Sequence, residues 1–170
     1  MADPHALDAA LHPIALGRWR LHATAIAWAG QGLLIIGAPA SGKSSLAAAL
    51  IEKGAALIAD DTVQLHAQTL PFQLVAEPTL HGVLALRGMG LLRVPHVATA
   101  PLQLVVQLCP VWDADISPTI SLLGNTIPRV CLRPADPHAA SKLSLFCNAL
   151  AAGNVLPADW HASDAAIACE

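Results

Sequence analysis

Residues 33–45 read Leu33-Leu34-Ile35-Ile36-Gly37-Ala38-Pro39-Ala40-Ser41-Gly42-Lys43-Ser44-Ser45. Four consecutive aliphatic side chains are the pattern of a strand buried on both faces. Gly37 to Ser44 then matches G-x-x-x-x-G-K-[ST], and Leu46 to Glu52, rich in Ala and Leu, predicts a helix that stops at Lys53 and Gly54. A strand, a glycine-containing loop and a helix N-terminus in this order form a phosphate cradle. Backbone N–H groups of the loop bind phosphate oxygens, the Lys43 ammonium reaches the terminal phosphates, and the Ser44 hydroxyl can ligand Mg²⁺. Gly37, Ala38, Pro39, Ala40, Ser41, Gly42, Lys43, Ser44 and Ser45 are therefore the candidate nucleotide-binding residues.

Working outward, Arg20 to Trp28 has a β-leaning apolar pattern, and Gly30-Gln31-Gly32 supplies a turn into the Leu33 strand. Downstream, Ala55 to Ala59 is a short apolar run closed by Asp60-Asp61, with Val63 to His66 continuing beyond it. A right-handed crossover through the helix predicts that the strands before Gly37 and before Asp60 lie side by side. Leu74 to Ala76 reads as a short edge strand, and Leu84 to Leu86 and Leu91 to Val94 flank Arg87-Gly88-Met89-Gly90. Leu102 to Leu108, Ile120 to Leu123 and Arg129 to Leu132 read as strands. Ala139 to Leu150 has helical spacing, with Leu143, Phe146, Cys147 and Leu150 on one face. The expected architecture is α/β, a central mixed β-sheet with flanking helices. It assigns residues 1–18 to a frayed lead-in, 19–150 to one catalytic domain and 151–170 to a tail.

Composition removes several classes of function. The 170 residues are 55% hydrophobic and 12% charged, which favours a heavily buried fold over disorder. No apolar stretch is long enough to span a membrane, because Gln31, Pro39, Lys43 and Glu52 interrupt the candidates. A net charge of −3 with nine unclustered basic residues argues against nucleic acid as a partner. Cys109, Cys131, Cys147 and Cys169 are spread singly, which suggests neither a zinc site nor a disulfide framework and fits reduced cytoplasmic thiols. His66, His81 and His96 lack metal-ligand spacing. The first residues have no basic start and no apolar run, so no secretion signal is expected.

Asp60-Asp61 closes the strand that follows the loop and helix, where a carboxylate would face Mg²⁺ or an attacking hydroxyl. Adjacent side chains in an extended strand point opposite ways, so the pair implies a turn and split roles. Taken together, several segments resemble the catalytic domain of the HPr kinase/phosphorylase family, particularly its short alphaproteobacterial form without an N-terminal domain. The likeness runs from Leu21-His22-Ala23 through the loop, Leu50-Ile51-Glu52-Lys53-Gly54 and Leu57-Ile58-Ala59-Asp60-Asp61 to Leu86-Arg87-Gly88-Met89-Gly90-Leu91-Leu92. It ends in Ile127-Pro128-Arg129 and Ala140-Ser141-Lys142-Leu143. The Lys-Gly then Ala-Asp-Asp spacing and the Arg-Gly-x-Gly segment carry its specificity, since the loop alone is shared by many unrelated nucleotidases.

The resemblance implies a phosphate-loop kinase domain of the HPr kinase type, a cytoplasmic enzyme using ATP and Mg²⁺. Its substrate would be a serine of the phosphocarrier protein HPr of the sugar/nitrogen phosphotransferase system, phosphorylated from ATP or pyrophosphate. A phosphorylase activity would remove the group with inorganic phosphate to give pyrophosphate. By matching position, one aspartate of Asp60-Asp61 would be the base on the substrate serine and the acid in reverse, with His22 near the phosphates and Arg87 near the reacting group. Ser44 and one aspartate, Asp61 being the candidate, would ligand the metal, and the family implies a homo-oligomer, a hexamer. Three departures stand out: Ala85 where the family has a metal-binding Glu, Gln107 where short members have Asp, and Ala40 in place of the loop's second glycine. Ala85 motivates an alternative, a catalytically weakened nucleotide-binding regulator. A diverged kinase of the same fold acting on another protein or peptide is a third reading.

Overall fold

The computed structural model describes residues 7–111 and 117–155. In chain order the strands are β1 (His12–Ala15), β2 (Arg18–Leu21), β3 (Thr24–Trp28), β4 (Gln31–Ile36), β5 (Ala56–Ala59) and β6 (Val63–His66). They continue with β7 (Gln73–Ala76), β8 (Val83–Leu86), β9 (Gly90–Arg93), β10 (Thr99–Leu108), β11 (Thr119–Leu122) and β12 (Asn125–Leu132). Helix α1 (Lys43–Ile51) lies between β4 and β5, and α2 (Ala139–Ala151) follows β12. The α/β architecture with a mixed central sheet is as expected.

The main sheet has ten strands, in the order β1-β2-β6-β7-β10-β4-β3-β5, with β12 also on β10 and β11 on β12. Strand β10 joins two halves. Its first residues, Thr99 to Pro101, pair antiparallel with β7, whereas Leu102 to Gln107 run parallel to β4 and Val105 to Leu108 parallel to β12. Alternate residues of the central strands face two apolar layers. Leu33, Ile35, Leu104 and Val106 pack under α1 and α2 with Leu46, Leu50 and Leu143, while Leu34 and Val105 pack with Leu65 and Leu74 on the opposite side. Burial on both faces is why residues 33–36 are aliphatic without alternation. Cys147 of α2 belongs to the helical layer, and burial pushes its thiol up to about 11.

Four expectations need correction. The strands before Gly37 and before Asp60 share a sheet but do not touch, because β3 lies between them and pairs antiparallel with both. The cause is local: Ala29 and Gly30 at φ 49° and 80° make a tight turn that folds β3 onto β4 before α1 can bring the chain back. The Arg20 to Trp28 run is broken at His22-Ala23, so β2 pairs with β6 in one half of the sheet and β3 joins the other. Strand β7 is interior, between β6 and β10, rather than an edge. Finally, residues 7–18 are built into the fold: Leu7 and Leu11 are buried, Asp8 Oδ1 accepts the Leu123 N–H at 2.8 Å, and β1 pairs with β2. Residues 1–6 and 156–170, with Trp160 and Cys169, lie outside the described residues.

Candidate functional site

The loop expected to hold phosphate joins β4 to α1 at the carboxyl end of the parallel strands, where α/β sheets place ligands. Gly42 precedes the helix at φ 97°, a conformation glycine adopts without penalty. Ala40, standing where the family resemblance puts a glycine, sits at φ 60°. The left-handed region costs an L-residue roughly 1–2 kcal/mol, and a glycine loses up to about 1 kcal/mol more chain entropy on folding. Ala40→Gly is thus expected to stabilise the protein by about 0.5 kcal/mol, a thermal midpoint one or two degrees higher by the usual scaling. A lower midpoint would contradict the argument.

Lys43 is only 7% exposed, and its ammonium donates to the carbonyl oxygens of Gly37 at 3.0 Å and Ala38 at 3.1 Å. The lysine therefore bends back over the loop, and phosphate oxygens would replace those carbonyls as acceptors. Ser41 lines the same loop with its hydroxyl buried and without a partner among the described residues.

The two aspartates diverge as the sequence implied. Asp61 has φ 68°, which turns the chain sharply after β5 and sends the two carboxylates apart. Asp60 is 8% exposed. Its Oδ1 accepts hydrogen bonds from Thr24 Oγ1 and Ser44 Oγ, each at 2.8 Å, and its Oδ2 accepts the Ala85 N–H at 3.1 Å. Asp61 faces outward, with a side chain 74% exposed and Oδ1 lying 3.1 Å from His22 Nδ1. The family resemblance implies Ser44 and Asp61 as metal ligands, whereas the structure sets Ser44 against Asp60.

These groups line one cleft of about 310 Å³. Its walls include His22, Thr24, Ala40, Ser41, Gly42, Lys43, Ser44, Ser45, Asp60, Asp61, Ala85, Leu86 and Arg87. Gly37, Ala38 and Pro39 form the entry side of the loop, outside that lining. Arg87 is exposed at the turn of the β8–β9 hairpin, so four segments distant in sequence meet here. Ser44 Oγ and the Asp60 carboxylate are hard oxygen donors beside the β4–α1 loop. They suit Mg²⁺, which takes one or two protein ligands and completes its shell with phosphate oxygens and water. Ala85 is exposed to the cleft and adds no oxygen from its side chain.

Two contributors were missed in the sequence. Thr24 is fully buried in β3, and a buried hydroxyl among alanines needs a partner, which was the available signal. The Ala85 backbone N–H left no trace in the sequence. Gln107 and Arg129, by contrast, meet each other: Arg129 Nη1 donates to Gln107 Oε1 at 3.1 Å, and its Nε and Nη2 donate to the Ser117 carbonyl at 3.0 and 2.8 Å. That network ties β10 to β12 away from the lining of the cleft.

Residues 16–110, more than half of the chain, match the family described as HPr Serine kinase C-terminal domain. The chain belongs to the HPr kinase C-terminal domain family. The matched span contains the loop, Asp60, Asp61 and Arg87, hence every candidate residue of the cleft. An HPr kinase/phosphorylase of Burkholderia lata is 31% identical over 153 residues, covering 82% of this chain and 47% of that protein. One from Nitrosomonas europaea is 43% identical over 68 residues, 38% of this chain and 20% of that protein. The chain thus spans at most about half the length of these curated relatives. The HPr(Ser) kinase/phosphatase from Coxiella burnetii has the same fold, with a TM-score of 0.69 over 79% of this chain and 97% of that one, at 21% identity.

Proposed function

We propose that this HPr kinase family domain transfers the terminal phosphoryl group of ATP to a serine of an HPr-like phosphocarrier protein, and catalyses its phosphorolysis in the reverse sense. The observation that carries the reading is that the two aspartates diverge, Asp60 being buried and bonded to Ser44 and Asp61 exposed beside His22. Asp60 would hold Mg²⁺, and Asp61 would meet an incoming hydroxyl. Phosphoryl transfer needs positioning and neutralisation of charge more than covalent chemistry. Mg²⁺ bound by Ser44 and Asp60 would supply charge neutralisation on the phosphate oxygens. In the kinase direction the serine oxygen bonds to the γ-phosphorus, the bond to the ADP oxygen breaks, and Asp61 takes the serine proton. In reverse, phosphate attacks phosphoserine, the serine oxygen leaves with a proton from Asp61, and pyrophosphate is formed. His22 orients the Asp61 carboxylate, and Arg87 neutralises the transferring group.

A cytoplasmic setting and a homo-oligomer, a hexamer as in the family, belong to the same reading. Among the described residues no helix is long and apolar enough to cross a membrane. Met89 and Leu91, each 74% exposed, give the β8–β9 hairpin beside the cleft an apolar face that a neighbouring subunit would cover.

Incubation with labelled ATP, Mg²⁺ and the HPr of the same genome tests the proposal. Label on an HPr serine is the expected result. ATP binding without transfer to HPr or to other proteins would favour the nucleotide-binding regulator suggested by Ala85, and label on a different protein a diverged kinase. Ala85 makes a prediction of its own, because it is exposed in the lining of the cleft that holds Ser44 while its N–H holds Asp60. Ala85→Glu adds a carboxylate without removing that bond. Transfer at limiting Mg²⁺ is expected to rise, on the order of tenfold, with metal-free ATP affinity little changed. An unchanged Mg²⁺ titration would show that metal coordination is not what Ala85 alters.

A further inference from the structure

Because β10 runs parallel to both β4 and β12, the carboxyl ends of all three strands lie along the same edge of the sheet, where ligands bind in α/β folds. The segment that follows β12, residues 133–138, starts there and is internally braced. The Asp136 N–H donates to the Arg133 carbonyl at 3.0 Å, Asp136 Oδ1 accepts the His138 N–H at 2.8 Å, and Asp136 Oδ2 accepts Lys142 Nζ at 2.6 Å. This turn rests on the phosphate loop, for Pro134 Cβ lies 4.0 Å from the point where a side chain on Gly42 would begin. Arg133, immediately before that proline, is exposed, and its guanidinium has no hydrogen bond or ion pair among the described residues. The carboxylate nearest in sequence, Asp136, is committed to Lys142 and the His138 N–H. A cation without a partner among the described residues therefore stands beside the loop, about one Cα step (3.8 Å) from the residue that touches it.

We infer that Arg133 is a nucleotide-binding residue, reaching across Gly42 to oxygens of the phosphate chain. Mg²⁺, Lys43 and Arg87 together only offset the charge of a nucleoside triphosphate, and the carboxylates of Asp60 and Asp61 in the same cleft leave an excess of negative charge; a guanidinium can also bind two phosphate oxygens at once. The inference rests on the cleft being an ATP site.

The test is calorimetric titration of ATP into the wild-type protein, Arg133→Ala and Arg133→Lys across a series of salt concentrations. Arg133→Ala is expected to bind ATP about tenfold more weakly at low salt, with a difference that shrinks as salt rises, since an exposed charge acting on phosphate is screened. Arg133→Lys, which keeps the charge and loses the fork, is expected to fall between the two. Affinity of Arg133→Ala within about twofold of wild type, or a loss independent of salt, would overturn the inference while leaving the ATP site intact. Failure of the wild-type protein to bind ATP would overturn the reading of the cleft itself.

Discussion

Replacing Lys43 with alanine is expected to weaken ATP binding by on the order of 100-fold or more and to abolish measurable phosphoryl transfer. The Lys43 ammonium is buried, held by two loop carbonyls at 3.0 and 3.1 Å, so little reorganisation is needed for it to meet phosphate oxygens. Charge-assisted hydrogen bonds contribute about 1.5–3 kcal/mol each, and losing one or two accounts for a change of that size. Arginine would not restore it, because a bulky planar fork does not replace a buried, compact ammonium held by two loop carbonyls. Calorimetric titration of ATP is the measurement, with a thermal melt to confirm folding. Affinity equal to wild type in a folded Lys43→Ala protein would mean that the loop does not bind phosphate.

The second large effect concerns Asp60. Asp60→Asn keeps the shape of the side chain but removes the charge beside Ser44 and turns an NH₂ group toward either the Ala85 N–H or the two hydroxyls that now donate to the carboxylate. Turnover is expected to fall on the order of 10²–10³-fold, with half-saturation moving to higher Mg²⁺. Setting two buried donors against each other is also expected to lower stability by about 1–3 kcal/mol. Asp61→Asn separates the two roles. Its carboxylate is exposed and bonded only to His22 among the described residues, so turnover is expected to drop while the Mg²⁺ dependence and the thermal midpoint stay near those of the parent. Rates and Mg²⁺ titrations on both variants decide the matter. Equal shifts in Mg²⁺ dependence would contradict the division between them.

What could be read in the sequence was local. The loop, α1, β10 and α2 announce themselves through spacing within one element, and the stop at Gly54 is visible as Ala55 N–H closing onto the Leu50 carbonyl. Strand order is not local. The turn around Gly30 announces that the chain folds back onto β4, but nothing in residues 24–59 shows that β3 then stands between β4 and β5, in the place β5 was expected to fill. Leu7 and Leu11 are illegible for a similar reason, since two leucines among Asp, His and Pro make no sustained period, and only the assembled sheet shows the layer that buries them.

The site divides along the same line. Lys43 and Ser44 are placed by their motif. Two adjacent aspartates, by contrast, cannot be told apart until the φ of 68° at Asp61 shows which carboxylate turns inward. Thr24 lies 36 residues from its partner Asp60, and the Ala85 N–H has no side-chain signature at all.

Where a metal and a nucleotide bind decides the function of the cleft. A crystal structure with ATP and Mn²⁺, the ion located by its anomalous scattering, measures this in one step. The expected result is Mn²⁺ on Ser44 Oγ and an Asp60 oxygen, with the phosphates under Lys43 and the terminal phosphorus facing Asp61 and His22. Mn²⁺ on Asp61 away from Asp60, or phosphates bound outside the loop, would contradict it.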